Sequence, residues 1–326
     1  MKIGILAAGK IAHSMAKTMT QMEQAECYAV ASRSYEKAKE FAEKWGFEQA
    51  YGSYEEMLED PAVELVYVAS PHSHHFIHAK MCLEHGKHVL VEKAFTVNAS
   101  QAEELIRLSE EKKLLLAEAI WTRYMPSRKM LDDLLAEGVI GEVTSLTANL
   151  GYILGGVERL QSPELAGGAL LDVGVYPLNF ALMAFHSEIK DIHTTAVMSP
   201  RGVDWTNSIT LTFADGKLAV LHSSMLALTD RQGIIFGDKG FIEVQNINNC
   251  EEIRVYNADR ELLACHKAPA QITGYEYEVL SCIKAIEEGR TECPQMPHSE
   301  SLRVMRLLDQ IRDIWGMEFP CESGDD

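Results

Sequence analysis

The first 120 residues alternate short apolar strand patterns with helical patterns, and this alternation restricts the possible folds more than any other feature of the sequence. Uninterrupted apolar runs predict buried parallel strands at residues 3–6, 27–31, 65–69, 88–91 and 114–117. Helical segments lie between these runs, so each strand is followed by a crossover helix. The pattern therefore predicts an α/β fold, a doubly wound parallel sheet whose ligand crevice lies at the carboxyl ends of the strands.

Two kinds of signal indicate where these helices begin and end. Ser53 with Glu56, and Ser100 with Glu103, have the spacing of a capping box, in which each side chain satisfies the free backbone N–H of the other residue. Gly86 is predicted to end a helix that begins near residue 73, because glycine readily takes the left-handed conformation found there.

The pattern changes after residue 124. A helix is predicted at 126–137, strands at 143–152, and a helix after the glycine-rich loop near Gly168. Residues 189–256 alternate apolar and polar side chains with hairpin signals at 215–216 and 237–240, which predicts an antiparallel sheet. Two helices follow, at 274–288 and 299–315. We expect a Rossmann domain at 1–120 and an α+β domain with an open, mainly antiparallel sheet at 121–326. The helix at 299–315 is a candidate to pack back on the first domain.

Composition excludes some classes of partner. A net charge of −18 argues against nucleic acid, because phosphate binding needs Lys and Arg concentrated on one face. There is no run of 18 apolar residues and no signal-peptide pattern, so neither a membrane span nor secretion is expected. The seven cysteines are scattered, without a C-x-x-C pair, which favours a reducing compartment and a cytoplasmic location.

Residues 7–12, Ala-Ala-Gly-Lys-Ile-Ala, join the first strand to the first helix, where dinucleotide-binding proteins place G-x-G-x-x-G. Gly9 keeps the position that lets backbone approach a pyrophosphate, and Ala12 is small enough for close helix–strand packing. The first glycine is replaced by Ala7. A P-loop is the alternative interpretation, since Gly4, Gly9 and Lys10 have its spacing, but Ile11 stands where that motif requires Ser or Thr.

The end of the second strand indicates which dinucleotide binds. An NAD site normally has Asp or Glu there to bind the ribose 2′-hydroxyl. This chain has Ser32 and Arg33 instead, with Lys37 one turn into the next helix. A hydroxyl with a guanidinium suits a 2′-phosphate, so NADP(H) is expected to be preferred and NAD(H) remains possible. The alternative is that Arg33 is simply a solvated side chain.

Histidine is frequent where the third predicted strand meets its helix. The segment 70–75 reads Ser-Pro-His-Ser-His-His, and a further histidine follows, so the set is His72, His74, His75 and His78. A zinc site would need a tetrahedral ligand set, and no Cys or carboxylate is spaced to complete one. We therefore expect no metal.

Two further segments carry candidate acid–base groups. Lys93 follows Glu92 after a buried strand, so its side chain is expected to point into the ligand crevice, where partial burial would lower its pKa. A solvated surface lysine is the alternative. Asp172 and Tyr176 are four residues apart after a Gly-Gly pair, so in a helix they share one face.

Together these motifs resemble the glucose–fructose oxidoreductase/inositol dehydrogenase family (Gfo/Idh/MocA) over nearly the whole chain. The resemblance rests on residues 7–12, Pro71-His72-x-x-His75, Glu92-Lys93 and Asp172-x-x-x-Tyr176. The family usually has Glu-Lys-Pro, and this chain has Ala94 in place of the proline. The run 118–126, and Tyr176 where many relatives have His, are similar to the branch of dimeric dihydrodiol dehydrogenases and NADP-dependent, xylose-type sugar dehydrogenases.

The resemblance implies a role for each candidate residue. Lys93 and Tyr176 would bracket the reacting hydroxyl or carbonyl, with Asp172 orienting them or binding a second hydroxyl. Trp121 and Arg123 would form a wall of the substrate pocket beside those three residues. The cofactor would be held by Ala8, Gly9, Lys10 and Ile11 at the pyrophosphate, by Ser32, Arg33 and Lys37 at the 2′-phosphate, and by Ser70, Pro71, His72, His75, Glu92 and Lys93 on the nicotinamide side.

The expected function is hydride transfer between NADP(H) and a hydroxyl or carbonyl of a sugar, polyol or trans-diol. One alternative is a non-catalytic NADP-binding regulatory protein of the same fold, but the joint presence of Lys93, Asp172 and Tyr176 favours an enzyme. Another is an enzyme that uses transient oxidation to enable a different reaction, such as glycoside cleavage. In the family the open sheet of the second domain packs against another subunit, so a homo-oligomer, most simply a dimer, is expected.

Overall fold

Six parallel strands form the sheet of the N-terminal unit in the computed structural model, which describes residues 1–322. They are β1 (Lys2–Leu6), β2 (Glu26–Ala31), β3 (Gln49–Tyr51), β4 (Leu65–Val68), β5 (His88–Glu92) and β6 (Leu116–Ala119). Their order is β3-β2-β1-β4-β5-β6, so the direction of winding reverses between β1 and β4. In doubly wound sheets ligands bind at that switch point, and the order confirms the predicted fold class. The three-residue edge strand β3 was not predicted.

Helices connect these strands: α1 (Lys10–Met19), α2 (Tyr35–Trp45), α3 (Tyr54–Glu59), α4 (His72–Glu84) and α5 (Ala99–Lys112). The cap predicted for α3 is confirmed on its Ser side, because the Ser53 hydroxyl accepts the Glu56 N–H at 3.2 Å. The cap predicted for α5 is wrong. Asn98 caps this helix, accepting the Gln101 N–H at 2.9 Å, and Ser100 lies within the first turn. Asn is an equally strong N-cap residue and occurs two positions earlier.

The boundary between the units differs from the prediction. The first unit contains residues 1–124 and also 271–306, whereas 121–326 was assigned to the second domain, with the helix at 299–315 as a candidate to pack back on the first. The C-terminal segment returns to the first unit because it supplies hydrogen-bond partners for backbone groups of β6, the edge strand of the parallel sheet. The Leu116 N–H donates to the carbonyl of Thr291 at 3.0 Å, and the His298 ring lies 2.9 Å from the Leu116 carbonyl. The returning segment includes α9 (Glu276–Glu287) and the first part of α10 (His298–Trp315).

The second unit is built on an eight-stranded sheet in the order β14-β13-β12-β11-β7-β10-β9-β8. Its strands are β7 (Val143–Gly151), β8 (Ile189–Met198), β9 (Asp204–Phe213), β10 (Leu218–Ser224), β11 (Gly233–Gly237), β12 (Gly240–Val244), β13 (Glu252–Asn257) and β14 (Leu262–Lys267). All neighbours are antiparallel except β7 and β10, and both predicted hairpins are present. The helices α6 (Pro126–Ala136), α7 (Glu158–Gln161) and α8 (Val175–Ala184) complete the unit. The predicted open, mainly antiparallel sheet is confirmed.

The two faces of this sheet differ. One face packs its alternate residues into the core, among them Leu146, Leu221, Ile235, Ile242 and Val255. Strand register aligns a row of six residues across the other face, and we call it the aromatic row: Leu218, Ser145, Phe236, Phe241, Tyr256 and Leu262. The rings of Phe241 and Tyr256 stack with centroids 4.6 Å apart.

One helical stretch, Pro163–Ala184, is long and apolar enough to cross a membrane by length and composition alone, with a mean hydropathy of 1.4. In the structure 89% of its apolar window is buried inside the protein. Helix α8 lies within this stretch and packs against β7 and β10. The stretch is therefore accounted for as a core helix of the second unit.

Candidate cofactor and active site

The loop after β1 has the shape of a dinucleotide-binding turn despite its missing first glycine. Ala7 takes a left-handed conformation with φ of 78°, and its N–H donates to the Ala31 carbonyl at 3.0 Å. Gly9 is the N-cap of α1. A Cβ at Gly9 would have no protein atom nearer than the Ala69 carbonyl oxygen at 3.9 Å, so packing within the protein does not require a glycine there. The space beside Gly9 is what close approach of a ligand to the backbone needs.

The N-terminus of α1 adds a favourable field for an anion. It has no side-chain cap and no acidic residue in its first turn, and Lys10 is its first residue. Backbone N–H groups at a helix start carry partial positive charge and are natural donors to phosphate. Ala8, Gly9, Lys10 and Ile11 thus fit a pyrophosphate. Gly4, which the P-loop alternative requires, lies inside β1, where a Cβ would come within 3.1 Å of Val63. It serves sheet packing instead.

The loop after β2 presents a cation to solvent. Arg33 is exposed. The pKa of His74, on helix α4, is lowered mainly by burial and also by the positive charge of Arg33. Ser34 caps α2 by accepting the Lys37 N–H at 3.4 Å, and the Lys37 side chain is exposed in the first turn of that helix. One carboxylate is also present, since Glu36 accepts a hydrogen bond from the Ser34 hydroxyl at 3.1 Å. Sequence reasoning did not consider Glu36 because it lies inside the helix rather than at the strand end.

The histidines of α4 make short-range structural contacts. The two ring nitrogens of His75 lie 2.8 Å from the Ala94 carbonyl and 2.9 Å from the Ser70 carbonyl, and Nδ1 of His78 lies 2.9 Å from the Ser70 hydroxyl. Burial lowers the pKa of His75 and of His78 to about 4, so both are neutral near pH 7. Within residues 1–322 no three His, Cys, Asp or Glu side chains are arranged to hold a metal ion.

His72 and Pro71 begin the same helix. Pro71 is the N-cap of α4, and His72 is buried in its first turn with its ring edge-on to that of His75. The His75 ring lies between the Ser70 carbonyl after β4 and the Ala94 carbonyl after Lys93, and as a neutral ring it donates to only one of them.

Glu92 and Lys93, at the end of β5, differ in their surroundings: Glu92 is buried and Lys93 is half-buried. The Glu92 carboxylate is buried, where Oε1 accepts the Tyr67 hydroxyl and Oε2 accepts the Lys93 backbone N–H at 3.2 Å. Behind it lies Glu278, whose pKa burial and the Glu92 charge raise well above the usual value. The predicted contact of Glu92 with the nicotinamide side is untested, and the contacts seen are those of a residue that supports the Lys93 backbone. Lys93 itself is half-buried, and the Lys93–Ala94 peptide bond is cis.

Trp121 and Arg123 lie in a single helical turn after β6 and have different surroundings. The Trp121 ring stacks on Tyr275, which precedes α9, at 4.4 Å and 14°. Arg123 is only 6% exposed and pairs with Glu300 of α10 at 3.0 Å. The Arg123 pair therefore contributes to the interior of the first unit. Tyr275 was not predicted, because it is separated from Trp121 by the whole second unit in sequence.

Asp172 and Tyr176 lie on one helical segment, as predicted, but its first turn is wider than an α-helix. Leu170–Gly174 form a π-helical turn that continues into α8, and such turns are common at functional sites. The Asp172 carboxylate accepts a hydrogen bond from the Arg159 guanidinium at 3.1 Å. Arg159 was not predicted, since it lies on the four-residue helix α7 and belongs to no motif.

A second buried carboxylate holds the start of this segment. Asp204 accepts the Leu170 N–H at 3.0 Å and an amide N–H of Asn207 at 2.8 Å, and burial raises its pKa to about 6. Gly168 has φ of 108°, and a Cβ there would come within 2.4 Å of Asp204. The glycine is therefore required both by its backbone conformation and by the close approach of the capping carboxylate.

Comparison with known proteins covers both units. Residues 1–119 match the model described as the oxidoreductase family with NAD-binding Rossmann fold, and residues 129–243 match the GFO/IDH/MocA C-terminal domain. Proteins named trans-1,2-dihydrobenzene-1,2-diol dehydrogenase are similar over the full length. The one from Danio rerio is 31% identical, covering 99% of each chain, and the one from Xenopus tropicalis is 32% identical, covering 98% of this chain and 99% of its own.

Two solved structures are also similar to this chain over nearly its whole length. The 3-ketoreductase KijD10 from Actinomadura kijaniata, in complex with NADP and TDP-benzene, superposes with a TM-score of 0.85 at 28% identity, covering 96% of this chain and 97% of its own. The aldose-aldose oxidoreductase from Caulobacter crescentus has a TM-score of 0.87 at 22% identity, with 96% of each chain covered, and shows likeness of fold alone.

Proposed function

This chain belongs to the Gfo/Idh/MocA oxidoreductase family, and from that premise we propose that it is an NADP(H)-dependent dehydrogenase of diols, polyols or sugars. The observation that carries the proposal is the similarity of both units, over nearly the whole chain, to relatives named for oxidation of a trans-diol. The reaction is hydride transfer between the nicotinamide and the carbon of a CH–OH group, with release or uptake of the hydroxyl proton.

The residues fit the dinucleotide in three places. The open space beside Gly9 and the uncapped start of α1 suit its pyrophosphate. Ser32, Arg33 and Lys37 would bind a 2′-phosphate, and Ser70, Pro71, His72 and His75 occupy the carboxyl edge of the sheet where the nicotinamide end would lie. The nicotinamide, when bound, supplies the hydride acceptor or donor.

The chain's own chemistry is then the movement of a proton. Tyr176 takes the proton of the substrate hydroxyl during oxidation and returns it during reduction. The Lys93 ammonium favours the phenolate form by charge attraction, and Asp172 orients the pair or binds a neighbouring substrate hydroxyl. Glu92 keeps the Lys93 backbone in place through the N–H that it accepts. Such acid–base groups typically contribute a factor of about 10² to 10⁴ in rate.

Cofactor preference follows from the loop after β2. Arg33 is exposed there, and Glu36, in the first turn of α2, already accepts the Ser34 hydroxyl. A guanidinium next to serine hydroxyls attracts a 2′-phosphate, whereas a ribose 2′-hydroxyl calls for a carboxylate at the strand end. NADP in the complex of KijD10 supports the same preference.

The substrate class can be tested by a screen. Purified protein with NADP⁺ is offered trans-1,2-dihydrobenzene-1,2-diol, aldoses such as D-xylose, and inositols, and NADPH formation is followed by absorbance. We expect turnover of at least one diol or aldose, and loss of that turnover in Tyr176→Phe. A protein that binds NADPH tightly but oxidises none of these compounds, and reduces none of the corresponding carbonyls, would contradict the proposal and favour a regulatory role.

The aromatic row supports a homodimer. Leu218 and Leu262 at its ends are 37% and 54% exposed, and the three rings between them lie on the outer face of the sheet. Water-facing strands normally carry polar residues, so a row with large hydrophobic side chains on five of its six strands favours burial against a second copy of this chain. Phe241→Glu is expected to give monomers by analytical ultracentrifugation. Lys129→Glu, an exposed change on α6, serves as the control, and a wild-type monomer at micromolar concentration would exclude the dimer.

A further inference from the structure

We propose that Arg159 is a positioning residue of the proton-transfer apparatus, holding the Asp172 carboxylate in place and balancing its charge one helical turn before Tyr176. This inference rests on the proposed function and extends it to a residue outside every motif of the chain. It is supported by an ion pair, by the way α7 is attached to the helix that follows, and by the burial of Asp172.

The first observation is the ion pair itself. The Arg159 guanidinium donates to Oδ1 of Asp172 at 3.1 Å, and the Asp172 side chain is 9% exposed whereas that of Arg159 is 46% exposed. A nearly buried carboxylate is costly unless a cation and hydrogen bonds compensate it. Arg159 supplies both from the solvent side. The arrangement therefore differs from a pair of exposed side chains, whose mutual attraction is weak.

The second observation concerns the attachment of α7. The Gly168 N–H donates to the Leu160 carbonyl at 2.9 Å, and the Gly167 N–H donates to the Ser162 carbonyl at 3.0 Å. A Cβ at Gly167 would come within 2.5 Å of the Leu160 carbonyl oxygen, so the two backbones are in direct contact. Glycine at 167 lets α7 dock on the start of the helical segment that carries Asp172. These contacts fix the backbone of α7 and therefore the position from which the Arg159 side chain extends.

The consequence for Tyr176 is electrostatic. Asp172 and Tyr176 lie four residues apart on one helical segment, a π-helical turn that continues into α8, so we expect a negative Asp172 to oppose formation of the Tyr176 phenolate. The Arg159 cation cancels much of that effect while keeping the carboxylate available to a substrate hydroxyl. The other charged groups that bear on this segment are Asp204, which holds the Leu170 N–H, and Lys93 in the proposed mechanism. Neither is changed in the variants below.

A purely structural role makes a different prediction. If Arg159 only keeps α7 folded, its removal should do the same damage whether or not residue 172 carries a charge. If it holds the Asp172 carboxylate in place, part of the effect of its removal should require the Asp172 charge, whereas the direct attraction between the Arg159 cation and a phenolate does not. A double-mutant cycle separates the two possibilities, because coupling appears only between groups that act on each other.

The cycle consists of wild type, Arg159→Met, Asp172→Asn and the double variant, with Arg159→Lys as the conservative change. Arg201→Met is the matched control, since Arg201 pairs with Glu158, the residue beside Arg159, and both are exposed. The first readout needs neither cofactor nor substrate. Ionisation of Tyr176 is followed by ultraviolet difference titration of each protein against the same protein carrying Tyr176→Phe. The second readout is kcat and KM on the substrate found by the screen, with NADPH affinity measured separately.

We expect Arg159→Met to move the ionisation midpoint of Tyr176 to higher pH by about one unit and to lower kcat about tenfold or more, without changing NADPH affinity. Arg159→Lys should recover most of both effects, and the shift should be smaller in the Asp172→Asn background, where only the direct attraction between Arg159 and the phenolate is lost. An unchanged midpoint in Arg159→Met, or an equal shift in both backgrounds, would overturn the inference. Failure of wild type to oxidise any substrate would refute the proposed function alone, because the titration would still decide the role of Arg159.

Discussion

The hydroxyl of Tyr67 donates a buried hydrogen bond to the carboxylate of Glu92, and the other oxygen of that carboxylate accepts the backbone N–H of Lys93. The catalytic candidate is therefore supported from inside the parallel sheet. Tyr67 lies on β4 and Glu92 on β5, so the contact joins the two neighbouring strands at the carboxyl edge.

Tyr67→Phe tests this support. The change keeps the ring and its packing but leaves a buried carboxylate without one of its donors, which typically costs about 1 to 3 kcal/mol. We expect a loss of that size in the free energy of unfolding measured with urea, and a lower kcat with NADPH affinity retained. Tyr28→Phe is a control, since that hydroxyl bonds Asp60 at a part-buried site away from Lys93. Equal stability of Tyr67→Phe and wild type would show that the contact contributes nothing.

The left-handed backbone conformation of Ala7 is strained, and a glycine at this position would not have that strain. With φ of 78° at this position, Ala7→Gly should stabilise the protein by up to about 1 kcal/mol. In the control Ala12→Gly, inside α1, the same exchange should destabilise by about 0.5 to 1 kcal/mol or more, because Ala12 is helical and buried. Thermal unfolding of both variants gives the answer, and a lower Tm in Ala7→Gly would contradict the strain argument.

Cofactor discrimination should reside in Arg33. Charge-assisted hydrogen bonds to phosphate are worth about 1.5 to 3 kcal/mol, so Arg33→Ala should weaken NADPH binding by about tenfold or more. NADH binding should change little, since NADH lacks the 2′-phosphate. Lys39→Ala removes an exposed cation of α2, the helix that follows Arg33, and should leave both affinities unchanged. Fluorescence titration with the two cofactors checks this, and equal affinities of wild type for NADPH and NADH would refute the preference.

Lys93 and Tyr176 should act as a unit. We expect Lys93→Met to reduce kcat by about 10² to 10⁴ while NADPH affinity stays close to that of wild type. Because groups of one proton-transfer unit are not additive, Lys93→Met combined with Tyr176→Phe should be little slower than the slower single variant. If Lys93 only positions the cofactor, Lys93→Met will weaken NADPH binding and leave kcat intact at saturation. Fluorescence titration combined with saturation kinetics distinguishes these outcomes.

Stability should fall as pH rises towards neutrality because of Glu118. Burial raises the pKa of this carboxyl to about 7, against the opposing effects of the Ser301 hydroxyl and the Arg123 charge. Between the ordinary value of 4.5 and about 7 the folded protein binds more protons at this site than the unfolded chain, so its contribution to stability declines with rising pH. Glu118→Gln should remove a decline of about 3 kcal/mol or less across that window. Unfolding curves at several pH values that run parallel for the two proteins would contradict this assignment.

Local patterns in the sequence were enough to predict the parallel sheet, and the placement of residues 7–12 after β1 and of Lys93 after β5, because buried strands and helix starts depend on neighbouring residues. The cap at Asn98 was missed because Asn98 and Ser100, two positions apart, were both plausible caps and only the start of the helix decides between them. Arg159, Tyr275 and the buried partners of Glu92 could not be inferred, since each contact joins residues that are distant in sequence or outside any periodic pattern. The return of residues 271–306 to the first unit depended likewise on one edge strand and its hydrogen bonds.

That return has a consequence for synthesis on the ribosome. The N–H of Leu116 finds its partner at Thr291, so the edge of the N-terminal sheet is completed only after most of the chain has emerged. Domains are usually able to fold in the order in which they are made. Here the first unit is completed only when residues 271–306 have been synthesised, after the whole sheet of the second unit. A nascent chain paused at residue 270 should therefore be more easily cleaved by protease in its N-terminal third than the finished protein is, although that third is the first to be translated.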